Sequence, residues 1–107
     1  MKKVYIAGPY TKGDIALNVR HAILKADLLA DAGFVPFIPH LSHFWHMLCP
    51  RDYNFWLKID KEWLKCCDAV LRLIGESPGA DEEVELAKSL NIPVFNNVTE
   101  LMKHFKE

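Results

Sequence analysis

Apolar positions along the chain change period several times, and each change marks an element. Val4-Tyr-Ile-Ala7 is a run of β-formers stopped by Gly8-Pro9, which predicts a short first strand. After Asp14, a natural helix cap, Val19, Ala22, Ile23, Ala26, Leu29 and Ala30 recur at helical spacing until Gly33, which suits a left-handed stop. Phe34-Val-Pro-Phe-Ile38 predicts a second strand. Its internal Pro36 removes a ladder donor and so places it at a sheet edge. Residues 41–52 carry aromatic and histidine side chains without a clear period and read as a long loop with room for one short helical turn.

A second helix is predicted from Tyr53 to Cys67, then a nearly continuous apolar strand, Asp68 to Ile74, interrupted only by Arg72. Gly75-Glu-Ser-Pro-Gly79 is turn-rich, Ala80 to Leu90 reads as a third helix, and Ile92-Pro-Val-Phe95 as a fourth strand. Thr99 is the expected cap of a last helix containing Leu101, Met102 and Phe105. Strict alternation of strand and helix argues for right-handed βαβ crossovers. The expected fold is a flavodoxin-like three-layer α/β sandwich with a four-stranded parallel sheet in the order 2-1-3-4. Ligands of such sheets bind beyond the carboxyl ends of the strands, where the order reverses. The loops after Ala7, Ile38 and Ile74 should converge there.

At 107 residues and 50% apolar, the chain suits one core, and we expect a single domain over residues 1–107. The formal charge of −1, without long blocks of one sign, offers no footprint for a nucleic-acid polymer or an acidic membrane. A small-molecule partner is expected instead. No apolar run approaches the ~18 residues of a membrane span, and the opening Met1-Lys-Lys is not followed by a signal peptide. Of the three cysteines, Cys49, Cys66 and Cys67, two are adjacent, which is no disulfide framework and fits a cytoplasmic location. Cys66 and Cys67 read as buried filling at the end of an amphipathic helix.

Helical phase singles out two acids. Drawn at ~100° per residue, Ala80, Val84, Leu86, Ala87 and Leu90 form a stripe with Glu83 near its middle, while Asp81 and Glu85 fall on the opposite side. Trp56, Trp63, Leu64 and Cys67 form a second stripe with Asp60 near its centre. A carboxylate turned toward protein is costly unless it is paired or hydrogen-bonded. Either acid therefore has a structural explanation in pairing with Arg72, or a chemical one. Two carboxylates converging on a cleft can perform glycosidic chemistry, one as nucleophile and the other orienting or transferring a proton.

Tyr5-Ile-Ala-Gly-Pro9, Asp60-Lys-Glu-Trp-Leu64 before Cys67-Asp-Ala-Val70, and Ser77-Pro-Gly-Ala-Asp-Glu-Glu-Val-Glu-Leu-Ala87 together resemble the nucleoside 2-deoxyribosyltransferase superfamily. The likeness is strongest to its small uncharacterised branch and then to the 2′-deoxynucleoside 5′-monophosphate N-glycosidases. It covers most of the chain, including the spacing between motifs. The resemblance implies cleavage or transfer at the N-glycosidic bond of a deoxynucleoside or its 5′-monophosphate, without metal or organic cofactor. Glu83 would attack C1′, Asp60 would hold a sugar hydroxyl or protonate the leaving base, and Tyr5 would position the nucleophile. Ser77 and the Gly79 backbone would bind phosphate or sugar, and His40 matches a position near the ligand phosphate. A homodimer is expected, since small relatives share sites. Where the transferases carry Gly-Thr and a later small residue, this chain has Gly79-Ala80 and Glu85. It also ends without the terminal strand of its relatives, and Asn96 or Asn97 is the candidate substitute in a dimer.

Three further features carry weaker chemistry. His40, His43, His46 and Cys49 recur every three residues and would suit zinc if the stretch were helical. The interleaved Leu41, Phe44, Trp45, Met47 and Leu48 point instead to a hydrophobic lid on which a base stacks against Phe44 or Trp45. The segment from Gly8 and Pro9 to Gly13, followed by the Asp14 cap, can cradle phosphate or simply turn strand into helix; it lacks the P-loop ending. The competing functional readings are a nucleotide-binding module without turnover and a purely structural domain in which Arg72 neutralises the two acids.

Overall fold

β1, Lys3–Ala7, alternates its side chains between two cores, and this alternation organises the molecule. The computed structural model describes residues 1–106. Val4 and Ile6 face a cluster with Ala22, Ala26 and Leu29 of α1 (Ile15–Asp31) and Leu101 of α5 (Val98–His104). Tyr5 and Ala7 face the opposite cluster, with Leu64 of α3 (Tyr53–Leu64) and Ala80 and Ala87 of α4 (Pro78–Ser89). Tyr5 therefore points at the helices that carry Asp60 and Glu83.

The remaining strands are β2 (Val35–Phe37), β3 (Ala69–Arg72) and β4 (Val94–Phe95), all paired parallel in the order β2-β1-β3-β4. The fold is flavodoxin-like, with helices on both faces of the sheet. β2, with Pro36, lies at an edge, as a missing ladder donor requires. Asp14 caps α1 by accepting a bond from the Leu17 amide, and Gly33 follows it at φ 91°, the left-handed stop that its lack of a Cβ permits. Among the described residues no helix is long and apolar enough to cross a membrane.

Several boundaries differ from expectation for identifiable reasons. Residues 42–48 are not loop but a two-turn helix, α2 (Ser42–Leu48), preceded by a 3-10 turn at Pro39–Leu41. None of the α2 side chains is buried, so no amphipathic period was available to announce it. α3 ends at Leu64, which leaves Cys66 exposed and only Cys67 buried. α4 starts at Pro78 because Ser77 is its cap, accepting a bond from the Ala80 amide, and proline suits a first helical turn. α5 is capped by Asn97, through the Glu100 amide, rather than by Thr99, which lies inside the helix. Asn97 is thereby engaged within its own chain.

Candidate functional site

The loops after β1, β2 and β3 converge with α3 on a cavity of about 500 Å3 at the carboxyl ends of the strands. That volume suits a small organic ligand. One wall is a single stripe of α3, in which Tyr53, Trp56, Leu57 and Asp60 are spaced i, i+3, i+4, i+7. Another is the start of α4, where Gly79, Ala80 and Glu83 face the same space. Gly8 and His40 close the side nearest the sheet.

Glu83 is 6% exposed, and Tyr5, which has no exposed surface, donates its hydroxyl to Glu83 Oε2. Burial pushes the Glu83 carboxyl up to about 8 against the pull of the Tyr5 bond, and the neighbouring Asp60 adds to the rise. Burial also raises Asp60 to about 7. The Tyr5 hydroxyl, buried beside two acids, is held well above its ordinary range and remains a proton donor. Neither acid has an ion-pair partner among the described residues. Arg72 turns elsewhere: it bonds the carbonyls of Leu73 and Gly75 and pairs with Asp81 at 3.0 Å. Neutralisation by Arg72 is therefore not the reason for the buried Glu83 or the half-buried Asp60.

Ser77 is buried in the cavity wall, its oxygen occupied by the Ala80 amide at 3.1 Å and its hydroxyl proton left to donate. A Cβ at Gly79 would lie 2.7 Å from the Tyr53 hydroxyl, so glycine here is what lets Tyr53 close over the start of α4. Gly8 answers to a different constraint: a Cβ there would stand 2.8 Å from Cβ of the buried Leu73, where β1 and β3 leave the sheet side by side. His40 is buried and donates Nε2–H to the Pro9 carbonyl at 3.0 Å, while its Nδ1 has no hydrogen-bond partner. Burial lowers its pKa and keeps the ring neutral. Pro9 thus acts behind the wall rather than lining it.

Phe44 and Trp45 do not line the cavity. Phe44 lies largely in solvent, and Trp45 packs edge-on against Trp56, its ring centroid 4.8 Å away, so Trp56 is the indole that faces the cavity. The histidines of the 40–49 stretch also diverge. His43 Nδ1 and the Tyr10 hydroxyl are hydrogen-bonded at 2.5 Å, and His46 Nδ1 accepts from Trp56 Nε1 at 2.8 Å. No three metal-ligating side chains come together among the described residues.

Tyr53, Trp56 and His46 were not singled out from the sequence as cavity-lining residues. The first two were legible, since they share a helical face with Asp60. His46 was not, because its position depends on α2 lying over α3.

A protein-family model matches residues 2–97. The chain belongs to the family described as Domain of unknown function (DUF7768). The matched residues include every residue that lines the cavity. No curated protein matches the chain. Among solved structures, it is similar to 2-deoxyribosyltransferase from the psychrotolerant bacterium Bacillus psychrosaccharolyticus, with a TM-score of 0.65 and 24% identity, over 86% of this chain and 69% of that one. At that identity the likeness establishes a shared fold.

Proposed function

We propose that this protein cleaves or transfers at the N-glycosidic bond of a 2′-deoxynucleoside or its 5′-monophosphate, with Glu83 as nucleophile. The observation that carries this reading is a buried carboxylate, held by Tyr5, facing a cavity it shares with Asp60 and with no cation to neutralise it. The fold shared with a 2-deoxyribosyltransferase supports it.

In the first step, in the form where Glu83 is ionised and Asp60 keeps the proton the two acids share, a Glu83 oxygen bonds to C1′ while the C1′–N bond breaks, its electron pair leaving with the base. Asp60, protonated up to about pH 7, gives the base its proton or holds a sugar hydroxyl. In the second step water or another base attacks C1′, Asp60 takes up the released proton, and Glu83 leaves as carboxylate. Ser77 and the Gly79 backbone bind phosphate or sugar at the start of α4. His40, kept neutral, fixes the Gly8-Pro9 turn through the Pro9 carbonyl. These steps require no metal or organic cofactor.

We also assign the exposed apolar side chains of α1 and α2, among them Leu17, Leu28, Phe44 and Met47, to a homodimer contact. A monomeric mass in light scattering would contradict that assignment. Ala80 stands where the resembled transferases have a threonine, so a nucleotide-binding module without turnover is the second reading. Free-base release from deoxynucleosides and their 5′-monophosphates, followed by chromatography with and without an acceptor base, distinguishes the readings. Release supports the glycosidic reading, and acceptor dependence separates transfer from hydrolysis. Binding without release selects the module.

A further inference from the structure

His46 has its tautomer set by its neighbours. Its Nδ1 lies 2.8 Å from Trp56 Nε1 and 3.2 Å from the Arg51 backbone nitrogen, both of which are N–H donors. Indole nitrogen is a donor only, and so is a backbone amide, so Nδ1 must be the acceptor for both. In the neutral ring the proton then sits on Nε2, the opposite edge of the imidazole. Nε2 has no hydrogen-bond partner among the described residues, and the His46 ring lines the cavity.

Arg51 lines the same end of the cavity, its guanidinium 4.3 Å from the centre of the Phe55 ring. A guanidinium also only donates. Neither side chain thus has a free acceptor, since the one acceptor of His46, Nδ1, is already engaged. Along α3, Trp56 stands one helical turn before Asp60, so the cavity lining runs from Asp60 through Trp56 to His46.

Resting on the glycosidic reading above, we propose that His46 Nε2–H, together with Arg51, reads an oxo group on the leaving base. If Asp60 protonates that base, the base lies on the Asp60 side of the sugar, against Trp56 and within reach of His46. A base presenting a carbonyl oxygen there accepts from His46. A base presenting an amino group sets donor against donor and leaves both without an acceptor. His46 is thus a specificity-determining residue for oxo-bearing bases, and the Trp56 bond is what holds it in the donating form.

Deoxyinosine and deoxyadenosine test this, because they carry oxo and amino at the same ring carbon, with the adjacent ring nitrogen protonated only in the former. Their dissociation constants are measured by calorimetry on Glu83→Gln, which binds without turnover, and again with His46→Asn added. The His46→Asn substitution keeps an acceptor for Trp56 through the amide oxygen but places no atom at the Nε2 position, and thermal melting checks that the fold is retained. The expected result is a preference for deoxyinosine of about tenfold to a hundredfold, falling to within about threefold on His46→Asn. Equal binding of the two nucleosides, a preference for deoxyadenosine, binding of neither, or a preference unchanged by His46→Asn would overturn the assignment. So would a His46→Asn effect confined to the added affinity of a 5′-monophosphate, which would place phosphate at this end. Because the readout is binding, the oxo preference stands or falls separately from base release by the wild-type protein.

Discussion

Arg72, at the end of β3, pairs with Asp81 at 3.0 Å and not with Glu83, two residues further along the same helix. The difference is helical phase: Asp81 is exposed and Glu83 faces the sheet. The guanidinium is further committed to the Leu73 and Gly75 carbonyls, so it ties the β3–α4 loop together. Glu83, buried, is thereby left with the Tyr5 hydroxyl and with the half-buried Asp60 nearby.

A cost to stability at high pH follows. The carboxyl of Glu83 rises from an ordinary 4.5 to about 8 on folding, so between those values the native state binds the extra proton. Stability contributed by the protonated form is present below pH 4.5 and is lost as pH rises toward 8. Glu83→Gln, which can still accept from Tyr5, should melt higher than wild type at pH 8 by at least about 4 °C, since roughly 1 kcal/mol suffices for that shift in a domain of this size. At pH 4 the two should coincide. Melting curves at both pH values check this, and a wild type more stable than the variant at pH 8 would contradict it.

Tyr5→Phe removes the only side-chain hydrogen bond to the Glu83 carboxyl among the described residues while preserving the ring stacked on Phe37, 5.6 Å away. The lost donor favours the protonated carboxyl, so the limb of the pH–rate profile that Glu83 governs should move upward. The rate at pH 7 should fall by about tenfold or more, with partial recovery at pH 9, as expected for loss of a hydrogen bond to a charged group. A uniform loss at all pH values would point to packing instead.

Asp60→Asn should reduce base release by about 10²–10⁴-fold and flatten the alkaline limb, because the group that must be protonated is gone. Because Glu83 must be ionised while Asp60 keeps its proton, the wild-type profile should peak between about 7 and about 8 and fall on either side. Substrates whose base leaves readily without a proton should be affected least. An unchanged alkaline limb in Asp60→Asn would remove Asp60 from the protonation step.

The two glycines should separate fold from site. At Gly8 the added Cβ meets the buried Leu73 side chain, which has nowhere to move, so Gly8→Ala should lower the melting temperature by several degrees. At Gly79 it meets the far end of Tyr53, an exposed ring that can swing away. Gly79→Ala should therefore raise KM with little change in melting temperature. Equal destabilisation by both would show that Tyr53 is fixed.

Elements with a buried face, or two, were legible from the chain. Val4 to Ala7 and the α1 stripe ending at Gly33 have the periods that burial imposes, and the parallel order followed from their alternation with helices. The phase of Asp60 and Glu83 could be read for the same reason. α2 could not be read, because an element that buries nothing has no period to show, and its placement is what brings His46 against Trp56. Phe44 and Trp45 suggested a stacking platform by residue type alone. Trp56 faces the cavity because it lies one turn before Asp60 on α3.

The most direct test of the central claim is free-base release by wild type and Glu83→Gln, side by side, on the deoxynucleoside or 5′-monophosphate that the wild-type protein processes fastest. With Glu83 as nucleophile, the wild type releases base and the variant is slower by about 10³-fold or more while still binding the substrate. Release by Glu83→Gln at the wild-type rate, or no release by the wild type from any member of the panel, would contradict it.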